Sequence, residues 1–252
     1  AALVSPRATT EEHYLVQSMI RGLGSEHVDH RGRLNDFRHP NAGRARMDIP
    51  SRDLATRDAI FLVGSNIRHD QPILGHRVRT AWRLNGAQIM DLNPVAYDFH
   101  FDLAERLIVP PQAMVDTLAR VLRAVLEQAD KPLPDGELGA YLDARDVDKT
   151  SRNLAERLAS AEQGAIVLGD VALAHSDGAW LRELADLLAE ALDCALCVLP
   201  GAANSQGAWT AGAVPGRDGL NARTMFERPR QGYLLWDIEP GLDLADPAKA
   251  SE

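Results

Sequence analysis

The sequence predicts an α/β fold: a doubly wound, mostly parallel sheet with helices on both faces. Short apolar runs such as "AIFLVG" (59–64) and "AIVLGD" (165–170) read as strands buried on both sides, the habit of parallel sheets. Such runs alternate with amphipathic segments of helical period. Their carboxyl ends, 64–66, 91–94, 169–170 and 200–206, carry small and polar residues, which is where such sheets hold ligands.

Each element has its own signal. "ALVS" (2–5) is a short strand. Thr9 and Glu12 form a capping-box pair, and Leu15, Val16, Met19, Ile20 and Leu23 follow at helical spacing until Gly22 and Gly24 end the helix. Residues 25–58 are polar and aperiodic, which predicts a working loop or a docking surface. "AIFLVG" is a central strand. "PILGHRVRTAWRLNG" (72–86) is a helix with Pro72 in its first turn and Gly86 past its end. "AQIMDL" (87–92) completes a βαβ unit, and "ERLIVP" (105–110) is a further strand. In "PQAMVDTLARVLRAVLEQAD" (111–130), Met114, Leu118, Val121, Leu122 and Val125 share one face. Residues 130–150 read as a Pro/Gly/Asp-rich connection. After it come helix 150–163, strand 165–170, helix 178–193, strand 195–201 and a last strand in "GYLLWDIEP". The expected organisation is one α/β half over 1–129, a linker over 130–150 and a second half over 151–252, truncated at its C-terminus. The opening without Met, and the close shortly after a strand, predict a piece of a longer polypeptide.

Composition narrows the function. The 252 residues are 45% hydrophobic, enough for a substantial core. Net charge is −9, from 27 basic and 36 acidic residues, which argues against a nucleic-acid surface. No apolar run reaches the roughly 18 residues of a membrane span, so no direct insertion is expected.

Four motifs bear on chemistry. The turn "GSNIRHD" after Gly64 has one glycine where a dinucleotide fingerprint has three; it is a tight turn or a remnant phosphate cradle. Cys194 and Cys197 have C-x-x-C spacing but no further cysteine to complete a cluster, so buried structural thiols are expected. His27, Asp29, His30 and His39 lie in the polar loop and read as solvated or partner-facing rather than as a metal site. "PGAANSQGAWTAGAVPG" (200–216) is dense in small residues around Asn204, Ser205 and Gln206, which suits binding or close packing.

In order along the chain, "ATTEEHYLVQSMIRGLGSEHVDH", "FLVGSNIRHDQPILGHRVRTAWRLNGAQIMDLNP", "AIVLGD", "PGAANSQGAWTAGAVPG" and "LLWDIEP" resemble the molybdopterin oxidoreductase family. They look most like its branch in respiratory complex I, the large iron–sulfur G chains of NADH-quinone oxidoreductases. The resemblance implies Rossmann-type halves like those of formate dehydrogenase and DMSO reductase. It implies a pterin-dinucleotide cradle at Gly64, Ser65 and Asn66 for phosphate, Asp91 for the guanosine half, and Asn204 and Gln206 over the cofactor.

Two departures stand out. Asn35, beside Asp36, occupies the position where the family's molybdenum ligand falls, and the aspartate is followed by "LNP" instead of Pro-Arg. The cradle is therefore expected to be vestigial, with no catalytic residue, no metal site and no cofactor in this stretch. Iron–sulfur clusters belong to the full-length chain. The alternative is a domain that still binds molybdopterin guanine dinucleotide. The implied partners are other peripheral-arm subunits of complex I, at the cytoplasmic face of the bacterial inner membrane through the complex.

Overall fold

A computed structural model describes residues 1–249. The strands are β1 (Ala2–Val4), β2 (Val28–Asp29), β3 (Arg46–Met47), β4 (Ala59–Val63), β5 (Gln88–Asn93), β6 (Glu105–Ile108), β7 (Gly164–Leu168), β8 (Ala195–Val198) and β9 (Leu234–Trp236). They belong to two compact units. Arg46–Leu199 forms one; residues 1–45 and the segment from Pro200 onward form the other.

The Arg46–Leu199 unit holds a six-stranded sheet in the order β3-β8-β7-β4-β5-β6, parallel except where β3 runs against β8. The chain builds outward from β4 to β6, then returns to the other side of β4 as β7 and β8. The reversal between β4 and β7 is a topological switch point. Alternation along β4 explains the two layers. Phe61 and Val63 face a cluster with Leu118, Leu122, Leu154, Leu181 and Leu188 from helices Met114–Gln128, Lys149–Ala159 and Gly178–Leu192. Ile60 and Leu62 face the opposite layer, with Val78 and Ala81 of helix Pro72–Asn85 and Leu54 of the 3-10 turn Ser51–Thr56. Each such buried side chain contributes about 1.5–3 kcal/mol. The predicted face of the 114–128 helix is the buried one: all five residues named for it are in the core.

The other unit has a parallel three-stranded sheet, β2-β1-β9. Helix Thr10–Gly22 connects β1 to β2 and carries the predicted capping box: the Glu12 amide donates to Thr9 Oγ1 at 3.2 Å and the Thr9 amide to Glu12 Oε2 at 2.7 Å. Val16 and Ile20 pack with Val4 and Val28 on one face of this sheet, and Leu3 packs with Met225 on the other.

Three expectations need correction. The compact units do not divide at 130–150: β7 pairs β4 in register across that stretch, so residues on both sides share one sheet. Nor is 130–150 a plain connection, because Gly136–Asp143 is helical and Leu142 is fully buried in the core beneath it. The polar stretch 25–58 is not a solvated loop throughout. It contains β2, β3 and the 3-10 turn, and it buries Asp29, His30 and Asp36.

Candidate functional site

The switch point lies where β4 and β7 end. Gly64 adopts a φ of 56°, its N–H donates to the Leu92 carbonyl at 2.8 Å, and its carbonyl accepts from the Ala172 amide at 3.2 Å. Gly169 ends β7 in the same manner, its amide donating to the Val63 carbonyl at 3.0 Å. The two turns abut. A Cβ on Gly64 would fall 2.5 Å from the Ala172 Cβ, and one on Gly169 would fall 2.5 Å from Ser65 Cα. Both glycines are thus explained by protein packing against protein.

Beside this closed seam lies a polar cluster. Asp91 and Asn93 are two apart in β5 and therefore share a face; both are fully buried, and Ser65 is nearly so. Asn93 Nδ2 donates to the Ser65 carbonyl at 3.1 Å and to Asp91 Oδ1. Arg106 stands opposite Asp91 in the β5–β6 register, its Nε 3.6 Å from Oδ2. Burial pushes the Asp91 carboxyl up to about 6, against the opposing pull of Asn93 and Arg106. Ser65 Oγ, Asn66 Oδ1, Asp91 Oδ2 and Asn93 Oδ1 are buried without a hydrogen-bond partner in the protein. Three of these four oxygens, all but the hydroxyl, can only accept, so the cluster calls for donors, which ordered water or the donor edge of a ligand supplies.

The structure thus brings Ser65 and Asp91 together through Asn93, with Gly64 committed to the seam and Asn66 following Ser65 with its Oδ1 buried. Sequence reasoning missed Arg106 and Ala172, and covered Asn93 only as part of the strand end 91–94. Asn93 had a signal, since it lies two residues beyond Asp91 in a strand. Gly169 had one too, because "AIVLG" ends as "AIFLVG" does. Arg106 had none, its place being fixed by strand register.

Asn204 and Gln206 belong to the other unit. Asn204 is committed locally: its amide donates to the Pro6 carbonyl at 3.0 Å and its Nδ2 to the Ala8 carbonyl at 2.7 Å. Gln206 is exposed on helix Ser205–Thr210. In the same unit Asp29 is held by Arg31 through two bonds, at 2.8 and 3.0 Å, and also accepts from the Ala222 amide at 2.9 Å. His30 Nδ1 lies 2.8 Å from the Ala213 carbonyl, which can only accept, so the proton of the neutral ring sits on Nδ1. His30 Nε2 is buried without a partner, and burial lowers the ring to about 4. In the Arg46–Leu199 unit, burial raises the Cys194 and Cys197 thiols to about 12, as inert structural thiols require.

A family model for molybdopterin oxidoreductase matches residues 1–250. The chain belongs to the molybdopterin oxidoreductase family. Among its relatives is the G 2 subunit of the NADH-quinone oxidoreductase of Rhizobium meliloti, 27% identical across 96% of this chain and 30% of that protein. The G subunit of the NADH-quinone oxidoreductase of Mycobacterium bovis is 28% identical across 97% of this chain and 31% of its own length. This molybdopterin oxidoreductase domain therefore spans under a third of those relatives. A chain of the formyltransferase/hydrolase complex of Methylorubrum extorquens, crystallised with methylofuran, shares the fold. Its TM-score is 0.55 and its identity 16%, over 84% of this chain and 57% of that one.

The donor set tests whether a family cofactor fits. Where the resemblance places a metal ligand, Asn35 is exposed, and both carboxylate oxygens of Asp36 accept from Arg38, at 2.9 and 2.8 Å. No group of three or more His, Cys, Asp or Glu among the described residues could hold a metal. At the turn where the resemblance places phosphate, the Gly64 amide is committed to the Leu92 carbonyl. The metal end of the cofactor does not fit these residues, and Gly64 offers a phosphate no free amide; the Asp91 end retains the chemistry of a donor-seeking cluster.

Proposed function

We propose that this chain is a structural, cofactor-free domain of the NADH-quinone oxidoreductase G-subunit type. It serves the peripheral arm of a complex that passes electrons from NADH to quinone, and itself binds no metal, cluster or nucleotide. The observation that carries this reading is the closed switch point, where Ala172 packs against Gly64 and the Gly64 N–H and C=O are both bonded within the protein. Interior packing of this kind resists opening. Relatives named as subunits of NADH-quinone oxidoreductase support membership of a multi-subunit assembly. Among the described residues no helix is long and apolar enough to cross a membrane. In this reading the domain meets the membrane through its partners, on the cytoplasmic face of the bacterial inner membrane.

A second reading, retention of molybdopterin guanine dinucleotide, is favoured by the four unpartnered atoms around Asp91. One measurement separates the two. The full-length protein is purified natively and denatured, and the oxidised extract is assayed for pterin fluorescence and for elemental molybdenum and tungsten. The scaffold reading expects neither pterin nor metal. Stoichiometric pterin would overturn it.

A further inference from the structure

Residues 213–222, "AVPGRDGLNA", run without helix or strand until helix Ala222–Glu227 begins. Residues 21–30 of the same compact unit hold this segment in place. Arg21 Nη2 donates to the Val214 carbonyl at 3.0 Å, and the Gly216 amide donates to the Glu26 carbonyl at 3.2 Å. Three more bonds involve side chains in and beside β2. The Leu220 amide donates to His27 Nδ1 at 3.0 Å, the Ala222 amide to Asp29 Oδ2 at 2.9 Å, and His30 Nδ1 to the Ala213 carbonyl at 2.8 Å. The fit is close: a Cβ on Gly219 would fall 2.3 Å from the Glu26 carbonyl oxygen. The segment is a strap, held by its fastenings and not by regular structure of its own.

Two of the fastenings depend on the charge of a histidine. A backbone amide only donates, so His27 Nδ1 accepts and carries no proton. A second proton on that ring would sit on Nδ1 and face the Leu220 N–H. On His30 a second proton would sit on Nε2, which is buried without a partner in the protein. The charges around each ring oppose one another. Glu26 favours the His27 cation, while Arg230 and the Ala1 amino group disfavour it. Asp29 favours the His30 cation; Arg31, bonded to that carboxylate at 2.8 and 3.0 Å, and His13, its ring edge-on at 6.1 Å, disfavour it.

We propose that residues 213–222 form an acid-released strap: on mild acidification a proton on His27 turns the Leu220 bond into a clash, a proton on His30 draws water to Nε2, and the strap lifts from residues 26–30 while helix Thr10–Gly22 stays folded. Lifting takes Leu220 away from the cluster of Leu3, Met225 and Leu244, so acid uncovers apolar surface along with the His30 ring. Burial lowers both rings, His30 to about 4. With the strap lifted, His30 titrates near its ordinary 6.5 or so. The lifted fraction should therefore rise about thirtyfold between about pH 7.5 and about pH 5.

The test is hydrogen exchange of the full-length protein, read by mass spectrometry, with labelling times scaled to the intrinsic rate at those two pH values. The peptide over 213–222 is expected to lose about thirtyfold in protection at the lower pH, and the peptide over 10–22 to keep its own. His27→Asn combined with His30→Asn puts an amide oxygen where Nδ1 accepts and an amide N–H where Nδ1 donates, and neither titrates. That variant should hold the strap closed at both pH values. A strap equally protected at both, a loss shared equally by 10–22, or a double variant that loses protection in acid as the wild type does would overturn the proposal. If the double variant is already unprotected at the higher pH, His27→Asn alone decides: an acid loss smaller than that of the wild type supports the strap, and an equal loss overturns it.

Discussion

The Asp91 side chain is fully buried, and its carboxyl sits near 6, well above its value in an unfolded chain. Between pH about 4 and 6 the folded state therefore holds a proton that the unfolded state releases. Asp91's contribution to stability is present below about 4 and is lost as pH rises through 6. That difference corresponds to about 3 kcal/mol. Asp91→Asn should raise stability by about 2–3 kcal/mol at pH 8 and change it little at pH 4; urea melts at both values check this. A variant destabilised at both would mean that the Arg106 pair outweighs burial. His30 works in the opposite sense. Its ring titrates near 4 when folded and near 6.5 when unfolded, so stability present above 6.5 is lost as pH falls toward 4. His30→Gln should flatten the fall of melting temperature between pH 6.5 and 4. An unchanged slope would place the acid lability in another group.

Two glycines at helix and strand ends have nearly the same backbone and different surroundings. Gly64 has φ 56° and Gly86 φ 65°, yet a Cβ meets Ala172 at Gly64 and nothing within 4 Å at Gly86. Left-handed backbone costs an alanine roughly 1–2 kcal/mol, and overpacking adds about 1–3. Gly86→Ala should thus cost about 1–2 kcal/mol and Gly64→Ala about 2–5, read from denaturant midpoints at constant m-value. Equal costs would show that the β4 and β7 turns yield to one another. Gly86 was legible as a helix stop, and Gly64 as the end of an apolar run. That Gly64 serves Ala172 was not, since the approach joins residues over a hundred apart in sequence. Legibility followed chemistry elsewhere too. Strands β4, β5 and β7 are apolar runs and were read; β2 was hidden because Asp29 and the adjacent His30 look like loop residues until Arg31 neutralises one and the Ala213 carbonyl accepts a hydrogen bond from the other. Of the candidate site, Ser65, Asn66 and Asp91 were readable as strand ends, whereas Arg106 depended on sheet register.

At the scale of the molecule, the α/β class followed from alternation, but the division into units did not, because no composition change marks residues 45 and 200. Each unit owns separate hydrophobic clusters, Phe61, Leu118 and Leu184 among those of one, Val16, Ile20 and Val28 among those of the other. The stretch Arg46–Leu199, expressed alone, should unfold in one cooperative transition, checked by circular dichroism in urea; a broad, non-cooperative melt would show that it is not an autonomous unit. Its ends are also neighbours: Arg46 pairs with Val198 across β3 and β8, strand partners about 5 Å apart. Once that stretch has folded, it tethers residues 45 and 200 as a tight hairpin would. The chain entropy of bringing the two segments of the other unit together then reflects a gap of a few ångströms instead of a long excursion. Forming the inserted part thus lowers the chain-entropy cost of assembling the discontinuous one.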